Sequence, residues 1–293
     1  MEIVVASGKG GTGKTFISSN LACFLHKNTG STVAVDTDAE APDLLIALGG
    51  SEKNLFKYTI SVSRKARIDH SKCLKCYRCI DVCRFKAIGM VNGYPVVVEE
   101  YCEGCGACSI VCTAKCIEFY TVKTGVVRGD LSSTGVPVVT ADLEVGGRNT
   151  GELVYHAKEE AYRLAEKMNA RYIVVDSAPG IGCPVISSLA GANILVVVVE
   201  PTPSSIRGAK RLLELAQNFN IESYMIINKH DPALDSRKIA SELDIEVLGV
   251  IPYSDAVVES YAYMKPLLLH NPSHRVSRIL SSIFNYMVEC VLK

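Results

Sequence analysis

Two arrangements in this chain of 293 residues have types and spacing suited to chemistry: a glycine- and lysine-rich octapeptide near the N-terminus, and eight cysteines in two matched sets. The octapeptide runs Gly8, Lys9, Gly10, Gly11, Thr12, Gly13, Lys14, Thr15. It fits G-x-x-x-x-G-K-[ST] and lies between a strand-like run, MEIVVAS, and a helix-like one, FISSNLACFLHK. Strand, glycine-rich loop, helix is the context in which that spacing binds phosphate. The glycines let backbone N–H groups turn inward on phosphate oxygens, and the helix N-terminus behind the loop adds positive potential. Lys14 then reaches the outer phosphates, and the Thr15 hydroxyl ligates Mg²⁺. The cysteines Cys73, Cys76, Cys79 and Cys83 follow C-x2-C-x2-C-x3-C, and Cys102, Cys105, Cys108 and Cys112 repeat it. In a chain whose N-terminus enters a strand at once, with no signal-peptide pattern, such sets point to metal rather than disulfides, and to a reducing cytoplasm.

Lys9, directly after Gly8, is unusual inside a phosphate loop. With it, GKGGTGKT resembles the deviant Walker A motif of the MinD/Mrp-type and ParA ATPases and of the nitrogenase iron protein, the SIMIBI class of P-loop ATPases. The resemblance implies an α/β P-loop fold with a mainly parallel sheet flanked by helices, binding ATP or ADP with Mg²⁺. It also implies a homodimer that sandwiches ATP, with Lys9 acting on the partner's nucleotide. A cation beside the γ-phosphate stabilises the charge that develops in phosphoryl transfer. In DTDAEAPD the resemblance places Asp38 at the attacking water and Asp36 nearer the magnesium shell; Asp43 is a candidate cap for the short helix that follows. The apolar strand of RYIVVDSAPG ends in Asp176, a Walker B arrangement reaching Mg²⁺ through water. DSAPG matches the family's D-x-x-P-G switch, in which the Gly180 backbone responds to the γ-phosphate. Asn228, near the end of ESYMIINKHD, stands at the family's base-contact position, and the loop from Pro252 to Asp255 is a second base contact.

The cysteine repeat resembles the two-cluster bacterial ferredoxin pattern. On that pattern three cysteines of each copy share a cluster with the fourth cysteine of the other copy. Cluster one then takes Cys73, Cys76, Cys79 and Cys112; cluster two takes Cys102, Cys105, Cys108 and Cys83, giving two [4Fe–4S] clusters per chain. A pair of structural zinc sites is the competing reading. The proline that usually follows each fourth cysteine is replaced by Arg84 and Thr113. Cys116 is an extra thiol, read as core rather than ligand, and Cys183 as a buried or interfacial thiol. Lysines and arginines crowd the segment from Arg64 to Lys86, which suits an acidic redox or apo-metalloprotein partner.

The elements that must position these groups divide the chain at 1–55, 56–124 and 125–293: a P-loop domain interrupted by an inserted α+β ferredoxin-like module. Within the module, MVNGYPVVV reads as a hairpin turning at Asn92-Gly93. After it, TVKTGVVRGDL reads as a closing hairpin. A terminal helix from about Ser273 to Leu292 has one apolar face and few basic residues, a pattern for packing on the sheet rather than on lipid. Net formal charge is zero, which argues against non-specific nucleic-acid binding, and no run of 18 apolar residues appears, so no membrane span is expected. The expected function is ATP hydrolysis in a homodimer coupled to [4Fe–4S] clusters, for electron transfer or cluster delivery. The alternatives are a ferredoxin-like carrier regulated by nucleotide and a MinD/ParA-like spatial organiser.

Overall fold

In the computed structural model, which describes residues 1–147, 150–231 and 236–292, the phosphate loop lies in the middle of a nine-stranded sheet. Strand β1 (Glu2–Ala6) leads into the loop and helix α1 (Lys14–Thr29) leaves it; β2 (Thr32–Asp36) and the short α2 (Leu44–Ala47) follow. β3 (Ser51–Ile60) enters the cysteine-rich stretch, which holds β4 (Ser63–Ile68), α3 (Arg78–Val82), β5 (Ile88–Val91), β6 (Tyr94–Val97), α4 (Ala107–Val111) and β7 (Ile117–Val122). Then come β8 (Gly125–Ser132), β9 (Pro137–Leu143), α5 (Thr150–Lys167), β10 (Tyr172–Asp176), α6 (Cys183–Leu189), β11 (Ile194–Val199) and α7 (Pro203–Gln217). The chain ends with β12 (Glu222–His230), α8 (Ser236–Leu243), β13 (Glu246–Pro252), α9 (Asp255–Ala262), α10 (Leu267–His270) and α11 (Arg275–Tyr286).

The sheet order is β13-β12-β11-β1-β10-β2-β9-β8-β3, and the strands from β13 to β9 pair in parallel. Every residue of β1, β2, β10 and β11 is buried. That is why their sequences are apolar without alternation: helices cover both faces of a parallel sheet. The strand ends carry the polar residues, so Ser7, Asp36, Asp176 and Glu200 come out along one edge. The last helix packs on this core. Val276, Leu280, Ile283 and Phe284 are buried, Phe284 lies 5.5 Å from Phe24 between ring centroids, and Ile283 covers Gly249, where a Cβ would sit 2.5 Å from its side chain. The helix expected as one piece to Leu292 changes at Met287 into a π-helical turn, Met287–Val291. No helix among the described residues is long and apolar enough to cross a membrane.

The chain forms two compact units: Met1–Tyr58, Val127–Asp142 and Gly151–Lys293 in one, Thr59–Val126 with Leu143–Thr150 in the other. In the second, β4 pairs antiparallel with β7, and β5 with β6. The β5–β6 turn is Asn92-Gly93, at φ of 50° and 75°, the left-handed pair that a tight hairpin requires. The hairpin expected in TVKTGVVRGDL does not form. Thr121 and Val122 finish β7 against β4, whereas Gly125–Ser132 joins the large sheet between β9 and β3. Both segments are strand-like; only long-range pairing separates them.

Truncating Phe284 to Ala removes a ring from the junction of α1 and α11. We expect a loss of about 3–4 kcal/mol, read as a lower urea midpoint with an unchanged slope.

Candidate functional site

The phosphate loop holds its shape through backbone that only glycine adopts readily. Gly11 and Gly13 have φ of 78° and 94°. A Cβ on Gly13 would also sit 2.3 Å from the Asn228 amide. Gly8 meets Gly208 of α7 so closely that a Cβ on it would lie 1.9 Å from the Gly208 carbonyl carbon. The loop opens onto a cavity of about 430 Å³. Gly10, Gly11, Gly13, Lys14 and Thr15 line one side, Asp38 and Asp43 another, and Asn228, Lys229, Pro252, Tyr253 and Tyr261 the far wall. The expected phosphate, water and base residues therefore face one space.

Lys14, itself buried, acts electrostatically on Asp38 and Asp176. Asp176 accepts a hydrogen bond from the Ser18 hydroxyl at 2.9 Å. Burial pushes its carboxyl up to about 6, against the opposing pull of Thr15, Ser18 and Lys14. Asp36 is held well above the usual carboxylate range by burial and by Asp176 beside it. Its two oxygens accept the Asp38 and Leu44 backbone N–H groups at 3.1 and 2.8 Å, so Asp36 shapes the loop that presents Asp38. Burial also raises Asp38, with Lys14 opposing. Asp43 precedes α2 but makes no side-chain cap; it faces the cavity instead. The switch stretch after Asp176 is tied to the loop by the Gly180 N–H, which donates to the Ser7 carbonyl at 2.9 Å with Gly180 at φ 93°.

Asn228 is buried, and its amide donates to the Thr12 carbonyl at 2.8 Å. Lys229 and Glu200 escaped the sequence reading. The Lys229 ammonium donates to the Gly11 carbonyl at 2.5 Å and pairs with Glu200 at 2.8 Å. Lys9 pairs with the other Glu200 oxygen, also at 2.8 Å. Burial alone would raise the Glu200 carboxyl, but Lys229 and Lys9 hold it below its ordinary value. The one signal for Glu200 was a charge closing the apolar run NILVVVVE.

In the second unit the two cysteine copies repeat in geometry. Tyr77 and Gly106, at φ of 59° and 85°, precede α3 and α4. Cys83 and Cys112 end those helices in nearly the same extended conformation. Lys75 and Gly104 match at φ of 52° and 63°, and Lys86 and Lys115 at 51° and 49°. Cys83, Cys102, Cys105 and Cys108 line one small cavity, the set expected for cluster two. Cys73, Cys79, Cys83, Cys102, Cys108, Cys112 and Cys116 share one core cluster. Backbone N–H groups of Lys75, Ala87 and Ala66 donate to the sulfurs of Cys73, Cys83 and Cys102 at 3.4, 3.3 and 3.4 Å. Cys116 is buried, as expected, and its sulfur lies 3.4 Å from that of Cys112. Cys183 is exposed at the start of α6, so of the two expectations for it, a buried or an interfacial thiol, the buried one does not hold. Among the described residues no three His, Cys, Asp or Glu side chains are already drawn together at metal-binding spacing.

A P-loop between β1 and α1, with acids at the ends of neighbouring parallel strands, defines a nucleotide-binding α/β protein. Residues 3–267 match the family model described as the CobQ/CobB/MinD/ParA nucleotide binding domain, and the chain belongs to that family. It is 34% identical over 229 residues to an uncharacterized protein of Methanocaldococcus jannaschii, covering 78% of each chain. It is 25% identical to an uncharacterized ATP-binding protein of the same organism, over 98% of this chain and 97% of that one. Its fold matches the septum site-determining protein MinD of Pyrococcus horikoshii, solved with Mg-ADP, at a TM-score of 0.61 and 16% identity over 100% and 98% of the chains.

Because the Asp176 carboxyl is raised from 3.8 to about 6, the folded state holds a proton that the unfolded chain releases between those values. That contribution favours folding below about pH 4 and is lost as pH rises through about 6. Without nucleotide, Asp176→Asn is therefore expected to be more stable than the parent at pH 7.5, by on the order of 2 kcal/mol. The gain should shrink toward zero near pH 4, as measured by denaturation at both pH values.

Proposed function

We propose that this protein is a Mg-ATP-dependent switch that hydrolyses ATP as a homodimer, and that its second unit carries two [4Fe–4S] clusters whose handling follows the nucleotide state. The observation that carries the first part is the convergence of Lys14, Thr15, Asp38 and Asn228 on one cavity. The loop N–H groups and Lys14 bind the phosphates. Asn228, already fastened to Thr12, and the Pro252 loop border the base. Asp176 and Asp36, set opposite each other on adjacent strands and both raised by burial, fit a divalent cation nearby, which Thr15 and Asp176 would hold with Asp36 behind them. A Mg²⁺ held there would supply positive charge against the nucleotide phosphates. Asp38 orients water toward the γ-phosphate, and Lys9 of a second copy stabilises the charge developing on it.

For the second part, the repeated backbone geometry, the four-thiol cavity and the N–H groups aimed at sulfur fit thiolate-held clusters. Cys73, Cys76, Cys79 and Cys112 would hold one, and Cys102, Cys105, Cys108 and Cys83 the other. Such clusters supply one-electron storage. The chain's own contribution is to fix the thiolates, donate N–H groups to three of them, and surround the first set with the basic segment from Arg64 to Lys86, suited to an acidic redox or apo-protein partner. The likeness to MinD favours a second reading, a spatial organiser that uses ATP to assemble on a surface.

Asp38→Ala should lower phosphate release at least about 100-fold while ATP binding persists, and unchanged turnover would remove Asp38 from the mechanism. Protein purified without oxygen should contain about eight iron atoms per chain. Iron should fall to about half in Cys105→Ala. An iron-free protein that still hydrolyses ATP and assembles on membranes would favour the organiser.

A further inference from the structure

The Lys9 side chain does not reach away from its own subunit. Its ammonium rests on Glu200, at the end of β11, which is mostly buried and cannot follow it outward. The Glu200 carboxylate is fixed from its other side by Lys229, and Lys229 is fastened to the Gly11 carbonyl. The Glu200 backbone is pinned as well: its N–H donates to the Ser205 hydroxyl at 3.0 Å and its carbonyl accepts the Thr202 N–H at 2.7 Å. Lys9 is the free end of this chain of contacts. Its side chain is 34% exposed, and its carbonyl is held by the Ser7 hydroxyl at 2.6 Å. A change of Lys9 rotamers alone, with no backbone movement, would release it.

We propose that Glu200 is the positioning residue for Lys9: its carboxylate keeps the Lys9 ammonium within its own subunit until the nucleotide phosphates of a second copy compete for it. This rests on the reading that Lys9 acts across a dimer. Glu200 thereby sets how much ATP is needed before two copies close. Lys229 shares the carboxylate, so it weakens the hold on Lys9 while tying that hold to the phosphate loop. An ion pair of this exposure changes an equilibrium by about threefold, and each dimer opens two of them.

The test measures self-association of the full chain by sedimentation, with Mg²⁺ and a non-hydrolysable ATP analogue. ADP affinity is measured alongside. Glu200→Gln should tighten the dimer by about tenfold and leave ADP binding unchanged. Lys229→Met should loosen it, because Glu200 then serves Lys9 alone. In a Lys9→Ala background Glu200→Gln should add nothing. If Glu200→Gln associates no more tightly than the parent while Lys9→Ala still weakens the dimer, the proposal is wrong and the cross-dimer reading stands. If Glu200→Gln and Lys229→Met weaken ADP binding and association together, both residues only support the loop, and the proposal is equally overturned. Lys9→Ala that associates and hydrolyses like the parent removes the cross-dimer reading itself.

Discussion

Parallel pairing of β10 with β2 sets Asp176 directly opposite Asp36, and pairing of β10 with β1 sets Asp176 opposite Val5, three residues before Gly8. Adjacent strands lie about 4.8 Å apart, so two buried carboxylates are forced together beside the phosphate loop. In a low-dielectric setting that repulsion is costly. The surroundings answer it locally: N–H groups of Asp38 and Leu44 on Asp36, the Ser18 hydroxyl on Asp176, and the charge of Lys14 near Asp176. What they leave uncompensated appears as raised carboxyls. A bound cation would discharge the same imbalance, so the proposed metal site would draw part of its affinity from the sheet itself.

Most of this was legible because the chemistry lies where local sequence is decisive. The loop, the apolar strand ending in Asp176 and the two cysteine frames are each contiguous, and buried parallel strands announce themselves by unbroken apolar runs. What escaped reading depends on contacts between distant strand ends. Glu200 gains its meaning only from Lys9 and Lys229, which the sheet order β12-β11-β1 brings beside it. The misread hairpin has the same origin: TVKTGVVRGDL contains two strand-like pieces, and nothing within it tells Val122 to pair with Ser63 or Gly125–Ser132 to join the large sheet. The sequence placed Asp36 toward the metal but did not show the backbone N–H groups that its oxygens accept, a detail that depends on how the Asp38 loop curls back.

The cysteine unit shows how little apolar material a repeat needs when backbone geometry repeats with it. Its helices have five residues each, too short to be stable alone. Their ends are set instead by left-handed residues at matched positions, four of them lysine or tyrosine rather than glycine (Lys75, Tyr77, Lys86 and Lys115). Such residues resist that conformation; the N–H groups of Lys75, Lys86 and Lys115 bond to Cys73, Cys83 and Cys112, and the Tyr77 hydroxyl bonds to the Gly93 carbonyl, contacts that offset part of the cost.

The meeting of Gly8 and Gly208 is a joint without cushioning. Side chains between a loop and a helix absorb small shifts by changing rotamer; here backbone touches backbone. Loop and helix therefore meet at a fixed distance, with no rotamer at the contact to take up slack. Any side chain at either position would push the loop and the helix apart, so the fit of α7 against the phosphate loop is set by the absence of two side chains rather than by the presence of any.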